Sequence, residues 1–579
     1  MTTFAAGSAL ASKIEMQNRL FGALSAMFGK EVPLYDRSLL VNEACNRTVC
    51  GLLSRLHAGF AMSDEVLART SGERHGAIRI GRPDEYRWIG RLFACFAMEP
   101  HNFYDMTNVG SKSQPIIATA FRSTLRPEHR VFSSVLMTDY FDPATRARIE
   151  ELLAKRTVFS DRAKALIEKC EQQGGLGQAD GDALIKECTD RIFKWTGKAR
   201  DHALYQELSA AGFKIAADIA CFQSHHLNHL TPNTFCIDLY TAAMKRCMGE
   251  VDAAWFEARA TTVLSRLMAQ ADRDFMKLHF KHVPLEEIAR YGAGTVTPAE
   301  VAEAAAALTR RFTQPEFALA AMKHAGFKDF TEGPSEDTPV LLRQDAYKAL
   351  TEPVEFTEND GTVVNATHTA RFGEIEERFY ACTPKGRAMY DACLSEADAA
   401  REQDPALPKR DMAAYEALYG RPFAPFPKSL QGLIRAGLVY ARYAPTPKGV
   451  AAKGAFATLD LLDLAAQGFV EYEGLRYEDF LPVSAAGIFA SNLQQYGTKS
   501  TAAVKPTYTQ QQLEEILGRR IIDSTVVYAG VEAESKLDTY AGLGVIERVP
   551  APERAALDAS VAAYRAMCGT ACGTACGAM

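Results

Sequence analysis

Apolar residues recur at the three- and four-residue spacing of helices over most of the chain, and only short runs alternate as strands do. Helical spacing covers residues 9–70 and three later blocks, 143–218, 250–325 and 383–470. A further amphipathic helix is predicted in "PDEYRWIGRLFACFAM". We therefore expect helices to make up most of the fold.

Strand-like runs are confined to four regions between these helical blocks. They fall near residues 73–140, 222–240, 338–380 and 480–490. Strand regions separated by long helical blocks predict the α+β class, with a mixed β-sheet core assembled from distant segments and surrounded by large helical insertions. We expect one catalytic domain over residues 12–565 and a disordered tail at 566–579.

Composition narrows the classes of protein that this chain can belong to. Hydrophobic residues make up 47% and charged residues 23%, which is enough to bury a large core. The net charge is -6 and no long basic block occurs, so nucleic acid is not expected as a partner. No apolar run approaches ~20 residues, so no membrane span is expected.

The N-terminus and the cysteines bear on the compartment. The N-terminus has no basic region followed by an apolar core, which argues against a signal peptide, although the absence of acids there leaves a transit peptide open. The 13 cysteines include no Cys-x-x-Cys pair, so neither a structural zinc site nor a disulfide framework is expected. Reduced thiols in the cytoplasm fit this pattern best.

Two short repeats are visible. The tail "CGTACGTACGAM" repeats Cys568, Cys572 and Cys576 every four residues, and a disordered tail accounts for it better than a metal-binding tract does. The segments "ACTPKGRAMY" and "YAPTPKGVAA" both use Thr-Pro-Lys-Gly as a helix entry. We assign no function to either repeat.

The run "ERHGAIRIG" has a polar face with two chemically useful side chains. On a strand, His75, Ala77 and Arg79 point one way, and Ile78 and Ile80 point the other way toward a core. A neutral imidazole can bind a metal, and a guanidinium about 13 Å further along, at ~3.3 Å per residue, can bind a carboxylate. Taken alone, this run favours an ordinary exposed polar face over such a site.

The run "CFQSHHLNHLTPNT" has three histidines within five residues. On a helix, His225 and His229 would share a face, but the glutamate of zinc proteases is missing between them and Pro232 opposes a helix there. On a strand, His225, Leu227 and His229 would share a face and His226 would point away. One metal ligand from this run and histidines held by local hydrogen bonds are equally compatible with it.

The run "HTARFGEIEER" places Phe372, Glu374 and Glu376 on one face of a predicted strand. Two neutral nitrogens and one carboxylate from separate strands would form the facial triad of a non-haem iron(II) enzyme, with Glu374 as the carboxylate. Glu376 would then support a ligand or face solvent beyond the rim. A paired-carboxylate glycosidase is the other interpretation, and nothing else in the chain favours it.

Five motifs in order carry a resemblance to a known family. The motifs "ERHGAIRIG", "NHLTPNT", "TPVLLRQ", "HTARFGEIEER" and "LPVSAAGIF" resemble those of the 2-oxoadipate dioxygenase/decarboxylase family, also called D-2-hydroxyglutarate synthase, of the vicinal oxygen chelate superfamily. The likeness runs from about residue 12 to about residue 500. The "F-x-E-I" pattern is also similar to the ligand strand of 4-hydroxyphenylpyruvate dioxygenase and 4-hydroxymandelate synthase.

The resemblance implies a vicinal-oxygen-chelate-like sheet that encloses iron(II) held by His75, His229 and Glu374. His229 is chosen because the family pattern is Asn-His-Leu-Thr-Pro, and His226 is the reserve candidate. By the same resemblance, His75 and His229 would also lie beside the substrate.

Four further residues take a role from the resemblance alone. Arg79 would bind a substrate carboxylate, and Gln344 would act in catalysis by hydrogen bonding to the substrate or an intermediate. Val483 and Ser484 would offer main-chain and hydroxyl contacts near the substrate.

Three departures from the family pattern stand out. The stretch between the second ligand and Gln344 is longer than expected and contains the block 250–325, which we interpret as an insertion. Glu377 stands where an amide is expected, and Asp345 adds negative charge next to Gln344, near a site for a dianion. These departures bear on the substrate more than on the metal.

The implied reaction converts 2-oxoadipate and dioxygen to 2-hydroxyglutarate and carbon dioxide, a late step of lysine breakdown. The partners would then be a small 2-oxo dicarboxylic acid and dioxygen. The alternative is a zinc or manganese isomerase, lyase or hydrolase on the same scaffold, because the ligand set does not exclude one. A third hypothesis is a chain that binds a 2-oxo acid or a metal without turnover.

Overall fold

The computed structural model describes residues 10–108, 113–124, 126–327, 331–452, 454–481 and 506–568. The helices of the first half are α1 Lys13–Glu31, α2 Pro33–Leu56, α3 Asp64–Ser71, α4 Pro83–Ala94, α5 Pro143–Ala154, α6 Asp161–Gln173, α7 Gln178–Glu187, α8 His202–Ala210, α9 Lys214–Cys221, α10 Ile237–Cys247, α11 Ala253–Gln270, α12 Arg273–His279 and α13 Leu285–Ile288. Those of the second half are α14 Pro298–Arg311, α15 Pro384–Gln403, α16 Leu407–Arg410, α17 Met412–Gly420, α18 Leu430–Arg435, α19 Pro447–Ala452, α20 Leu461–Ala466, α21 Gln510–Leu517, α22 Ser524–Gly542 and α23 Ala551–Cys568.

The main sheet is mixed and curled, and it gathers strands from distant parts of the chain. The strands are β1 His57–Ala58, β2 Arg74–Ile80, β3 Glu99–Asp105, β4 Ile116–Arg122, β5 His129–Leu136, β6 Lys198–Arg200, β7 His229–Pro232, β8 Gly292–Ala293, β9 Leu342–Ala346, β10 Thr351–Thr357, β11 Val363–Thr369, β12 Phe372–Arg378, β13 Ala441–Pro445 and β14 Val470–Gly474. Seven of them form the sheet in the order β3-β4-β5-β2-β7-β12-β9. The predicted α+β class is confirmed.

Three neighbouring strands in this sheet bring distant motifs together. Strand β7 lies between β2, with which it is antiparallel, and β12, with which it is parallel. His75 is paired with Thr231, and Leu230 with Gly373, so that Glu374 comes next to Thr231 on the far side. His75, Thr231 and Glu374 therefore form one row across three strands, on one face of the sheet.

The edge strand β3 was not predicted. The helical pattern was extended to residue 98, but α4 ends at Ala94 and the chain turns through Ala97, which has a positive φ. Strand β3 contains Pro100, and a register shift follows near Asn102, whose φ is also positive. Proline and irregular pairing are tolerated at the edge of a sheet, and they obscure the alternation by which a strand is identified.

The block predicted to be helical over 383–470 contains a strand. Ala441–Pro445 pairs antiparallel with Val470–Gly474, so β13 and β14 form a small separate sheet. Alternating side chains of "ARYAP" are too few to outweigh the helical spacing on either side of it.

The two Thr-Pro-Lys-Gly segments build the same joint twice. In each copy the threonine hydroxyl donates to a glycine carbonyl in a left-handed turn, and the lysine ammonium donates to the carbonyl before that glycine. The pairs are Thr383 with Gly437, Lys385 with Ala436, Thr446 with Gly468 and Lys448 with Gln467, at 2.6–2.8 Å. A Cβ at either segment glycine would overlap a carbonyl of the facing turn, which explains why glycine is used there.

The segment that contains both joints leaves and re-enters the main sheet at one place. Beyond β12, the amide of Ala381 donates to the carbonyl of Leu475 at 2.7 Å, and the amide of Tyr477 donates to the carbonyl of Phe379 at 2.8 Å. Residues 382–474 are therefore an excursion whose two ends are hydrogen bonded to each other.

Some predictions fall on other parts of the chain. The strand predicted near 480–490 lies outside the described residues beyond Leu481, and so do Val483 and Ser484. The last helix runs to Cys568, which places the first three residues of the predicted tail in α23, while 569–579 lie outside the described residues. Within the described ranges, the helices are too short or too polar to cross a bilayer.

Candidate metal centre

His75, His229 and Glu374 converge on one point of the sheet. They come from β2, β7 and β12, and their ligand atoms all lie within 4.8 Å of one another. Nε2 of His75 is 3.3 Å and Nε2 of His229 is 3.7 Å from Oε2 of Glu374. All three side chains are buried. Two imidazoles and one carboxylate in this arrangement can cover one face of a metal ion.

Glu376 supports this group from behind His75. Its Oε2 lies 3.0 Å from Nδ1 of His75, and its side chain is buried on the same face as that of Glu374. A proton on Nδ1 would face this carboxylate and would leave Nε2, on the side of Glu374, able to bind a metal ion. The structure thus gives Glu376 a supporting position rather than a position at a solvent-exposed rim.

A buried ion-pair network holds Glu376 in turn. Oε1 of Glu376 accepts from Nε of Arg378 at 2.6 Å and from Nη1 of Arg130 at 3.2 Å. The network continues from Arg130 to Glu478 at 3.0 Å, and from Glu478 to Arg476 at 2.8 Å. Burial raises the pKa of Glu376, but Arg378 and His75 more than offset this and keep its pKa well below the ordinary value.

The protonation state of His229 suits a ligand. Burial is the main cause that lowers its pKa, to about 4, although Glu374 acts in the opposite direction. The imidazole is therefore neutral near pH 7, as a metal ligand must be. Thr231, two residues along the same strand, donates its hydroxyl to Oε2 of Glu374 at 3.0 Å and restricts the carboxylate.

Aromatic rings cover one side of the centre. The ring of Phe480 packs edge-on against His75, with 5.1 Å between centroids, and Phe132 packs against Phe480 at 5.6 Å. Small Ala77 lies on the same strand face as His75. The site is therefore lined by apolar groups as well as by ligands, which limits access of water.

Arg79 is held by an acid that sequence analysis did not identify. Its Nη1 donates to Oδ2 of Asp218, in α9, at 2.6 Å. Burial is the main cause of the lowered pKa of His229 and of His368, and the charge of Arg79 acts in the same direction on both. Asp218 is 139 residues from Arg79 along the chain, and a single acid in the segment "KIAADIAC" gives no signal of this contact.

The three clustered histidines go to three different places. His225 contacts Glu85, at 3.1 Å, and His226 lies 3.3 Å from Asp218. Only His229 of the three reaches His75 and Glu374 within the part of the chain that the structure describes. Neither predicted arrangement of this run is correct, because residues 223–228 are irregular and β7 begins at His229.

Gln344 lies on the ligand face of the sheet, but two of the predicted departures do not. Gln344 is paired with Glu376 across β9 and β12, and so shares its face. Asp345 points to the other face, where Thr241 donates to it at 3.0 Å, so the expected negative charge near the site is wrong. Glu377 also faces away, 3.5 Å from Arg343.

A cavity of about 500 Å³ is found elsewhere, on the face of β9 that carries Arg343. Its walls include Arg343 and Asp238, which form a two-bond ion pair at 2.8 and 3.0 Å, and Arg259, which pairs with Glu416. The charges of Arg343, Asp238 and Arg259 are matched within the protein, and none of the three converging ligands lines the cavity. The candidate metal ligands are therefore separate from this cavity.

Comparison with known proteins gives consistent results over most of the chain. A family model described as 2-oxoadipate dioxygenase/decarboxylase matches residues 20–262 and 274–492. A 2-oxoadipate dioxygenase/decarboxylase of Pseudomonas putida is 33% identical over 523 residues, which is 89% of this chain and 93% of that protein. One of Escherichia coli strain K12 is 31% identical over 531 residues, which is 90% of this chain and 97% of that protein.

The fold is also shared with a solved structure. The crystal structure of the hydroxyglutarate synthase from Pseudomonas putida in complex with 2-oxoadipate aligns with a TM-score of 0.63 at 30% identity, over 92% of this chain and 99% of that chain. Within the helical block 250–325, the family model leaves only residues 263–273 unmatched, so most of that block is common to the family. The chain belongs to the 2-oxoadipate dioxygenase/decarboxylase family.

Proposed function

We propose that this protein is an iron(II)- and dioxygen-dependent enzyme that converts 2-oxoadipate to 2-hydroxyglutarate and carbon dioxide. The observation that carries the proposal is the convergence of His75, His229 and Glu374 on adjacent strands. One carbon leaves as carbon dioxide, and both atoms of dioxygen are retained in the two products, so the reaction needs no other reductant.

The residues present fit a divalent iron. Two buried imidazoles and one carboxylate are the donor set of facial-triad enzymes, and three protein ligands leave positions for a chelating substrate and dioxygen. The carboxylate of Glu376 at Nδ1 of His75 supports a tautomer that turns Nε2 to the metal. His75, His229 and Glu374 would hold the ion, and Glu376 would orient the ring of His75.

When bound, iron(II) would supply a template for the 2-oxo acid and the electrons that activate dioxygen. The protein's own groups would orient the substrate and keep the site dry. Arg79 would bind the distal carboxylate by a charge-assisted hydrogen bond, and Phe480 would exclude water beside His75. Gln344, on the same face as Glu376, would donate a hydrogen bond to the substrate.

The substrate assignment draws support from the relatives. The Pseudomonas putida synthase was crystallised with 2-oxoadipate, and the curated relatives carry the name 2-oxoadipate dioxygenase/decarboxylase. We extend this substrate to the present chain, with Val483 and Ser484 as further contacts, and place the reaction at a late step of lysine breakdown in the cytoplasm.

The direct test removes one ligand at a time. His75→Ala, His229→Ala and Glu374→Ala should each lose bound iron and oxygen uptake on 2-oxoadipate, because a three-ligand site has no spare ligand. His226→Ala is the matched control, since it removes a neighbouring buried histidine that is directed at Asp218, and it should keep iron. Normal iron in His229→Ala, together with iron loss in His226→Ala, would contradict the ligand assignment.

The same proteins separate the proposal from its alternatives. Oxygen uptake with ferrous iron and 2-oxoadipate is expected, whereas turnover under nitrogen would favour a non-redox isomerase, lyase or hydrolase with zinc or manganese. Anaerobic titration of iron in the presence of 2-oxoadipate should produce the visible charge-transfer band of a chelated 2-oxo acid. Binding without turnover under either atmosphere would favour a non-enzymatic role.

A further inference from the structure

Asp218, His226 and His368 form a second buried group that the proposed reaction does not use directly. Asp218 lies in α9, His226 precedes β7 and His368 is in β11. Nε2 of His226 is 3.3 Å and Nε2 of His368 is 3.7 Å from Oδ1 of Asp218. The other carboxylate oxygen, Oδ2, receives the bond from Arg79.

The group has the residue types of a metal site but not its charge. Its ligand atoms lie within 4.8 Å of one another, as those of the candidate iron centre do. The one carboxylate already pairs with Arg79 at 2.6 Å, so the buried formal charges of Asp218 and Arg79 cancel. A divalent cation would add two positive charges directly beside a guanidinium, at a place that is closed to water, which is strongly unfavourable.

The histidines are better explained as supports of the carboxylate. The hydroxyl of Tyr205 lies 2.8 Å from Nδ1 of His368, and a proton donated there leaves the ring proton of His368 on Nε2, facing Asp218. Burial lowers the pKa of His368 to about 3, so this imidazole is neutral. Burial raises the pKa of Asp218, but His226 and Arg79 more than offset this and hold it well below its usual range.

The ion pair leaves part of the guanidinium available. Among the described residues, the one hydrogen bond of Arg79 is that from Nη1 to Asp218, so Nη2 and Nε are available to a carboxylate. An arginine side chain has many rotamers, and ordering it before the substrate arrives lowers the entropic penalty of binding. Asp218 therefore fixes where the donors of Arg79 point.

We propose that Asp218, supported by His226 and His368, is a positioning residue for Arg79 and makes the site selective for 2-oxo acids with a second carboxylate. The inference rests on the proposed function for the identity of the substrate. The inference concerns the preference between two 2-oxo acids. This preference can be measured by binding alone, without turnover.

The test compares two six-carbon 2-oxo acids that differ at the distal end. The dissociation constants of 2-oxoadipate and of the monocarboxylic 2-oxohexanoate are measured by anaerobic calorimetry on iron-loaded protein, and kcat/KM is measured in parallel. Asp218→Asn should lower the preference for 2-oxoadipate on the order of tenfold, the size of coupling found between contacting residues. The loss should appear mainly in the dissociation constant and KM, with iron content unchanged.

Three further variants test whether a general structural defect could explain this result. In an Arg79→Met background, Asp218→Asn should change the preference no further, because Asp218 acts through Arg79. His368→Gln keeps an N–H donor and should lower the preference by a smaller factor. Glu85→Gln is the matched control, since Glu85 is also a buried partner of an arginine and a histidine, and it should lower stability without changing the preference.

Each outcome supports or contradicts the positioning role of Asp218. An unchanged or increased preference in iron-loaded Asp218→Asn, an equal fall in Glu85→Gln, or a second metal ion per wild-type chain that is lost in Asp218→Asn would overturn the proposal. If wild-type protein prefers 2-oxoadipate in binding but does not consume it with oxygen, the proposed reaction fails and the role of Asp218 is still judged by the binding data.

Discussion

Glu376→Gln separates support of a metal ligand from ordinary ion pairing. The carboxylate lies 3.0 Å from Nδ1 of His75, and the amide removes its charge while keeping its shape. Replacement of such an outer partner typically weakens metal binding tenfold to a hundredfold, or about 1.4 to 2.7 kcal/mol. Glu374→Gln, which changes a proposed ligand itself, should lose iron more completely.

The same substitution also breaks buried ion pairs. Arg378, at 2.6 Å, and Arg130, at 3.2 Å, lose part of their compensation, and breaking a buried pair costs about 3 to 5 kcal/mol of stability. Lower thermal stability is therefore expected for reasons unrelated to iron, and it does not test the role of Glu376. The iron dissociation constant, measured anaerobically against a competing chelator, is the informative quantity.

Glu478→Gln is the matched control for this experiment. Glu478 pairs with Arg130 at 3.0 Å and with Arg476 at 2.8 Å in the same network, whereas Glu376 is the acid of the network that lies beside Nδ1 of His75. Both variants should lose stability, and only Glu376→Gln should lose iron affinity by tenfold or more. Equal iron affinities in the two variants would refute the reasoning, since the network charge and not the contact with His75 would then govern the metal.

Three other substitutions have definite expected outcomes. Arg79→Met should retain iron and lose roughly tenfold to a few hundredfold in kcat/KM for 2-oxoadipate, since a charge-assisted hydrogen bond contributes roughly 1.5 to 3 kcal/mol; equal losses on 2-oxohexanoate would contradict its contact with the distal carboxylate. Gly373→Ala should lower the melting temperature sharply or prevent folding, because its Cβ would overlap the hydroxyl of Tyr347. Burial raises the pKa of Glu377 to about 8, so the folded state keeps a proton that the unfolded state releases, and stability falls as pH rises from about 4.5 to 8. Glu377→Gln removes this dependence, so its melting temperature should exceed that of the wild type by more at pH 8 than at pH 5.5; a constant difference would contradict the shift.

The two strands that carry His75 and Glu374 were predictable because their patterns are local. The run "HGAIRI" alternates cleanly, and "FGEIEER" places two acids on one face, so the faces of β2 and β12 followed from the sequence. The choice of His229 rested on a resemblance, because the histidine-rich run is irregular and its periodicity pointed to no face. The expected position of Asp345 is wrong because neighbouring residues of a strand point to opposite faces, and Gln344 lies on the face of Glu376.

Contacts made at long range could not be predicted from the sequence. The pairing of Arg79 with Asp218 joins a strand to a helix 139 residues away, and no pattern in either segment identifies the partner. Strand β13 was not predicted for a different reason. Its five residues are too short an alternating run to outweigh the helical spacing on either side. Tertiary packing decided both cases.

The excursion 382–474 is a part of the fold whose length can change without disturbing the main sheet. Because Ala381 is hydrogen bonded to Leu475, the two ends of the segment lie side by side at the main sheet, as the ends of an inserted module do. Each of its two Thr-Pro-Lys-Gly joints connects a helix entry to the turn that precedes a strand, so the module consists of two similarly connected units. Loop-closure entropy changes only slowly with loop length, so lineages can lengthen, shorten or exchange such a module while the strands that carry the ligands keep their register.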